Sequence, residues 1–254
     1  MTDTALSARF AEGDFRVGRI LSRTSSVLSR NFLPFFIVTA IANLPGALLI
    51  KVSTDAAATA SPEAAFANLG MIFVGLILTL VLNVLCQAVV LYGAFQDMRG
   101  RPVNLVESLQ VGFRRFFPII GLALLMYFLI MLGTMLLIVP GLILLTMWFV
   151  ATPVCVVESL GPIKSMRRSS QLSKGHRWKI FGLILLVAVL GSVIIGGINI
   201  SLEALAGPIL SLIGGLLLNG VWGAFNAIAV VVTYHDLRVA KEGTNIEQIA
   251  AVFD

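Results

Sequence analysis

The stretch RRFFPIIGLALLMYFLIMLGTMLLIVPGLILLTMWFVATPVCVVESLGPIKSMRR, residues 114–168, decides the fold. Between Arg115 and Glu158 it contains no Asp, Glu, Lys, Arg or His. A hydrocarbon core about 30 Å thick is crossed by roughly 20 helical residues, so this run is too long for one span and long enough for two. Pro140-Gly141 interrupts it near the middle, where a residue without an N–H followed by one that tolerates unusual backbone angles favours a turn. Bases flank both ends, Arg114 and Arg115 before and Lys164, Arg167 and Arg168 after. The run therefore reads as a helical hairpin with both ends on the side that retains positive charge.

Working outward, the same ruler finds four more spans. The six run approximately over Phe32–Ile50, Leu69–Leu91, Phe117–Val139, Leu142–Val157, Ile180–Ile200 and Ile209–Tyr234. Composition agrees, because 58% apolar and 12% charged residues with a mean hydropathy of +0.97 leave too little polar surface for a water-soluble globule. Of the 18 Lys and Arg residues all but Lys51 fall in segments on one side of this arrangement. The expectation is an all-α polytopic bundle of three hairpins in a bacterial cytoplasmic (inner) membrane, with both termini cytoplasmic. The first 30 residues, polar and with five Arg, lack the apolar core of a signal peptide. Cys86 and Cys155 lie inside spans, so no disulfide framework is expected.

Each hairpin follows a basic amphipathic segment, which organises the chain into residues 1–31, a six-span domain over 32–234 with interfacial helices near 103–116 and 162–174, and a tail over 235–254. Arg30, Phe32, Pro34 and Phe36 align with Arg114, Phe116, Pro118 and Ile120, and Arg177-Trp178-Lys179-Ile180 repeats the base-then-aromatic step, a three-hairpin pseudo-repeat. Pro45-Gly46, Pro140-Gly141 and Gly207-Pro208 read as turn punctuation. The first amphipathic segment sets Val17, Ile20, Leu21, Thr24 and Leu28 on one face beside Arg16, Arg19 and Arg23, and reads as lying flat at the interface. Asn104 with Glu107 reads as a capping box ahead of Leu105, Leu109, Phe113 and Phe116. Gly161-Pro162 opens the third helix and Gly175 closes it. In the tail, Ile246, Ile249, Ala250 and Phe253 are spaced for a short helix.

Chemistry-bearing constellations are scarce. The spans carry no ionisable residue at depth, which weighs against ion-coupled transport. His176 and His235 lie at span boundaries without ligand spacing, and there is no phosphate loop or CxxC pair. The expectation is a protein without catalytic residues, cofactor or bound metal, and without nucleic-acid partners. Arg16, Arg19, Arg23, Arg114, Arg115, Lys164, Arg167, Arg168 and Lys174 are the candidate contacts for anionic lipid headgroups, each worth about 1 kcal/mol near a charged surface. The same residues equally serve as ordinary positive-inside anchors. Asn83 and Gln87 on span two and Asn219 and Asn226 on span six are candidate intramembrane polar contacts, as packing bonds or as the lining of a polar path. Gly215, Asn219, Gly223 and Ala227 form a small-residue stripe for helix approach.

From Val139 to Phe181 the chain resembles the membrane domain found at the N-terminus of some glycerophosphoryl diester phosphodiesterases, and related stand-alone bacterial membrane proteins. Pro140, Gly141, Glu158, Arg167, Arg168, Ser169, Leu172, Lys174 and Gly175 carry the resemblance. It implies a helical bundle with lipid-adjacent basic helices. The catalytic barrel of the bifunctional members would follow the last span, so the resemblance does not imply phosphodiesterase activity here. Where that family often has a basic residue early in span four, this chain has Thr146, Met147 and Trp148. Glu158 is placed to pair with Arg167 or Arg168. Three readings follow: a non-enzymatic protein that binds or organises anionic lipids or assists envelope assembly, an amide-lined channel or uncoupled exporter, and a regulatory membrane domain for a separate lipid-metabolising enzyme. A protein partner or a homo-oligomer is compatible with each.

Overall fold

The computed structural model describes residues 16–59 and 62–253; Arg9 and the rest of the first 15 residues lie outside it. Every regular element among the described residues is helical: α1 Val17–Arg30, α2 Phe32–Thr59, α3 Pro62–Met98, α4 Leu105–Arg114, α5 Phe116–Leu136, α6 Ile138–Met147, α7 Ala151–Val157, α8 Pro162–Ser173 and α9 Arg177–Phe253. Helix α9 is two limbs joined at Gly207, whose φ of 76° only a residue without Cβ adopts freely. Six stretches are long and apolar enough to cross a bilayer: Phe32–Ser53, Asn68–Met98, Phe116–Leu136, Ile138–Val157, Arg177–Leu202 and Ile213–Glu242. The chain is an all-α polytopic membrane bundle of three consecutive hairpins.

The second and sixth spans are longer than the sequence suggests. Helix α3, at 37 residues, is about 55 Å long, and the last helix continues past Tyr234 through His235 and Asp236. Hydropathy falls at these positions, but helical hydrogen bonding does not need an apolar side chain, so the helices run on past the apolar run, and a protein core forms toward this end of the bundle. Ala88–Leu91 of α3, Val150–Val156 around α7 and Ala227–Val232 of α9 are nearly all inaccessible, together with Ile20, Phe35, Leu172 and Leu237. The opposite end is different. Leu69, Phe73, Met131, Met135, Leu136 and Ile200 are exposed on the bundle exterior.

Two of the expected turns are not turns. Pro45 lies inside α2, and the helix continues to Thr59. Gly46 is instead a close-approach residue: a Cβ there would sit 1.8 Å from the Thr79 hydroxyl oxygen of α3. Helix α5 ends at Leu136 and the chain turns at extended Leu137, three residues before Pro140, and Gly141 repeats the device with a virtual Cβ 2.0 Å from the Thr134 hydroxyl. In both hairpins the threonine donates to its own helix, Thr79 to the Gly75 carbonyl and Thr134 to the Ile130 carbonyl, each at 2.8 Å. Both threonine hydroxyls are satisfied, and the glycine lets the backbones close, as small residues do between membrane helices.

Enlarging these glycines should therefore separate the hairpins. Gly46→Val and Gly141→Val are each expected to lower the melting temperature in detergent by several degrees, following the about 1–3 kcal/mol typical of overpacking. Gly182→Val, with no atom within 4 Å of its virtual Cβ, should stay near wild type. Equal melting of all three variants, followed by intrinsic fluorescence, would remove the close-packing account.

Candidate functional site

The basic segments meet at one end of the bundle, where the chemistry of this protein is concentrated. Helix α1 does not lie with its apolar face on lipid. Ile20, Thr24 and Val27 are buried against protein, mainly the second limb of α9. The anchor is Asp236, with a side chain 3% exposed: Arg23 Nη1 donates to its Oδ1 at 2.8 Å and Arg19 Nε lies 3.4 Å from its Oδ2. At the other end of α1, Arg30 Nη2 donates to Asp97 Oδ2 at 2.6 Å and Asn31 Nδ2 to Asp97 Oδ1 at 2.9 Å, tying the helix to α3.

A second set of charges links α7, α8 and α9. Glu158 lies 3.3 Å from Arg168 Nε and accepts from the Tyr234 hydroxyl at 2.8 Å. Arg168 also donates to Glu242, which accepts from Arg238 Nε at 2.7 Å. Of the two partners the sequence offers Glu158, the structure selects Arg168. Burial by itself acts to lower the Arg168 pKa, but Glu242 and Glu158 outweigh it and the net direction is upward, so the guanidinium stays charged. Two arginines face two carboxylates in this set, which leaves it neutral.

Behind it the fourth span is broken. Pro153 has no N–H for the Phe149 carbonyl, and its ring would clash there in a continuous helix. The helix accordingly stops at Met147 and resumes at Ala151. The Ala151 N–H turns to the Trp148 carbonyl at 2.9 Å, releasing the Met147 carbonyl. Two hydroxyls of α8 take its place: Ser169 Oγ donates to it at 2.9 Å and Ser173 Oγ at 3.3 Å. The buried face of α8 is therefore Ser165, Met166, Ser169, Leu172 and Ser173, facing the protein.

Helix α4 alone of the three amphipathic helices faces its apolar side outward. Its small face, Ser108 and Gly112, is buried, with Gly112 against Val89 of α3, whereas Val106, Leu109 and Phe113 are exposed and lead into exposed Phe117. The cap is half the expected box. Asn104 Oδ1 accepts from the Val106 and Glu107 N–H groups at 3.1 Å, but the reciprocal arm comes from Gln96 of α3, whose Oε1 accepts from the Asn104 N–H at 3.0 Å. Glu107 is thereby free to accept from the Tyr92 hydroxyl at 2.9 Å and from Gln96 Nε2 at 2.8 Å.

These residues line a polar cavity of about 300 Å³ with Arg99, Arg101 and Arg238 on its wall. Arg99 lies over the Phe95 ring, 5.2 Å from its centre. Gly100, at φ 72°, ends α3 in a left-handed cap, with the Arg101 N–H bonded to the Gln96 carbonyl and the Gly100 N–H to the Asp97 carbonyl, and so presents the two flanking arginines at the rim. Arg238 is matched by Glu242, and the Glu107 carboxylate offsets one of the two remaining arginines, so Arg99 and Arg101 together leave the cavity with a net positive charge. The sequence reading passed over this pair. The available signal was Gln96, a polar residue one turn beyond the last apolar run of span two.

The intramembrane amides divide. Gln87 and Asn226 share a cavity of about 360 Å³ with Phe149 and Thr152 beside the span-four break. Gln87 and Thr152 also border a neighbouring cavity of about 200 Å³ that includes Asn83. Asn83 Nδ2 donates across the first hairpin to Asn43 Oδ1 at 3.0 Å, a packing bond. Asn219 is apart from all of these: it is exposed and donates to its own helix at the Gly215 carbonyl. Of the remaining candidates, Arg115 donates to the Ser159 carbonyl at 3.2 Å, while Arg114, Lys164, Arg167 and Lys174 are exposed with no ion pair to a described residue. No family model, curated protein or solved structure matches the chain.

Two outcomes follow from this geometry. Asp236→Asn should loosen α1, seen as cleavage by trypsin at Arg19 and Arg23 at least about ten-fold faster than in wild type, a difference of about 1.4 kcal/mol in protection. Unchanged cleavage would mean that α1 is held by apolar burial alone. The double variant Ser169→Ala/Ser173→Ala should lower stability by about 1–3 kcal/mol, the range for a stranded buried carbonyl, whereas either single variant should cost less because one hydroxyl remains.

Proposed function

We propose that this protein is a non-enzymatic multi-pass protein of the bacterial cytoplasmic membrane, with both termini in the cytoplasm, that collects anionic lipid headgroups around its basic end. The observation that carries the reading is the division of the bases into two populations. Arg19, Arg23, Arg30, Arg168 and Arg238 are in ion pairs with carboxylates. Arg99, Arg101, Arg114, Lys164, Arg167 and Lys174 are exposed and have no ion pair among the described residues. A base used only to fix topology has no need of this sorting, whereas a headgroup contact must be free of competing carboxylates.

The outward apolar stripe of α4 supports the same reading. Val106, Phe113 and Phe117 set Arg101 and Arg114 beside a surface suited to the headgroup and acyl boundary. The positive cavity between α3, α4 and α9 provides one recessed position, where a phosphate would meet Arg99 and Arg101 with Tyr92 nearby. The resemblance to the membrane domain of glycerophosphoryl diester phosphodiesterases fits a role near lipid headgroups without supplying a reaction.

Lipid retention measured by native mass spectrometry from phosphatidylglycerol-containing nanodiscs tests this. Arg99→Gln, Arg101→Gln and Arg114→Gln should each weaken phosphatidylglycerol retention about 5-fold, from about 1 kcal/mol per basic residue, and leave phosphatidylcholine retention unchanged. Retention equal to wild type in the triple variant would reject the proposal.

A further inference from the structure

A groove of about 390 Å³ runs between α6 and the first limb of α9, away from the basic cavity. Its wall is almost entirely apolar, formed by Val139, Leu142, Ile143 and Phe181, with Thr146 turned back on its own helix at the Ile143 carbonyl. The volume lies in the range of ligand sites, about 300–1,000 Å³. Its head is Arg177. Arg177 lines the groove, and its Nε is buried with no hydrogen-bond partner in the structure. A buried cationic donor without an acceptor costs free energy unless something outside the chain supplies one.

The surroundings sharpen the requirement. Lys174, Arg168 and Arg177 all act on the Lys241 ammonium as like charges, so Arg177 at the head of the groove stands in a positive surrounding. Glu158 and Glu242 of the neighbouring network are engaged by Arg168, Tyr234 and Arg238. Arg177 also opens α9, whose leading N–H groups have no acceptor within the helix. Beside it Trp178 is exposed, placed as an aromatic at the headgroup level. A phosphate oxygen would satisfy the Arg177 donor and offset the positive charge around it, and the groove below offers almost only apolar surface.

We infer that this groove binds one anionic glycerophospholipid, its phosphate on Arg177 and one acyl chain between α6 and α9. The site is separate from the basic rim of the proposed function, which meets headgroups alone. Here the chain is also held, so the lipid is a bound ligand and not a member of the surrounding annulus. Binding needs both parts: the groove confers affinity for any acyl chain, and Arg177 selects the anionic lipid.

The test uses the full chain in nanodiscs with a phosphatidylglycerol bearing a photoactivatable diazirine midway along one acyl chain, and a phosphatidylcholine with the same chain. The expected result is labelling of peptides covering residues 138–147 and 177–185 several-fold above the exposed face of α5 at Phe128 and Met131, with phosphatidylglycerol favoured about 5-fold or more. Arg177→Gln should abolish that preference while chain labelling persists. Ile143→Trp should fill the groove and remove labelling by both lipids. Arg99→Gln/Arg101→Gln should leave the pattern intact, which separates this site from the rim. Even labelling over α5 and α6 in the wild type, or an undiminished phosphatidylglycerol preference in Arg177→Gln, overturns the inference. Because these two readouts come from the wild type and a polar substitution at the head of the groove, they decide the matter even if Ile143→Trp fails to fold.

Discussion

A carbonyl released from a helix within hydrocarbon has no water to accept from, and the Met147 carbonyl is in that position. Satisfying it within the protein fixes the surrounding architecture. Ser169 and Ser173 reach it only if α8 packs its serine face against the break, which folds a polar basic helix onto the bundle instead of leaving it on the surface. With α8 in place, Arg168 meets both Glu158 and Glu242, and these draw in Tyr234 and Arg238 of the last helix. The first limb of α9 then starts beside α6, leaving between them the groove headed by Arg177. One proline in span four thus accounts for the seat of α8, the neutral charge network and the shape of the membrane-facing cleft.

The partition of bases follows from the same assembly. Long helices α3 and α9 rise past the apolar region and carry acids there, Asp97, Asp236 and Glu242, each of which captures a nearby arginine. Burying Asp236 without a cation would be costly, so Arg19 and Arg23 are held by necessity. Bases beyond the reach of those acids remain outward. Positive charge that began as a topological signal is split into a structural share and a surface share by where these three carboxylates and Glu158 stand.

Much of this was legible in the residue order. The six spans, their pairing into hairpins and the helical character of residues 105–114 and 162–173 follow from hydropathy, charge and caps, because each is a local or periodic property. The misplaced turns show the boundary of that reasoning. Pro45-Gly46 and Pro140-Gly141 look like punctuation, yet the glycines answer to Thr79 and Thr134, partners distant or unmarked in sequence. A pattern of residues does not state whether a glycine serves its own backbone or a neighbour's. The candidate site was half visible for a related reason. Arg114, Arg167 and Lys174 could be identified as surface bases from their helices, and the Glu158 pair with Arg167 or Arg168 from their spacing, but the loss of Arg19 and Arg23 to Asp236 and of Arg168 to Glu242 depends on carboxylates of the last helix, and the importance of Arg99 and Arg101 on a glycine cap that brings both to the cavity rim.

The uneven packing of the bundle bears on how it sits in its bilayer. Interlocked side chains and ion pairs fill the basic end, while at the other end Phe73, Met131, Met135 and Ile200 face outward with few protein neighbours. Protein contacts are therefore concentrated toward one end of the bundle. Toward the other end the surface of the helices is offered to lipid, so the fit of the bundle to its bilayer is decided there by side chain against acyl chain, and at the basic end by side chain against side chain.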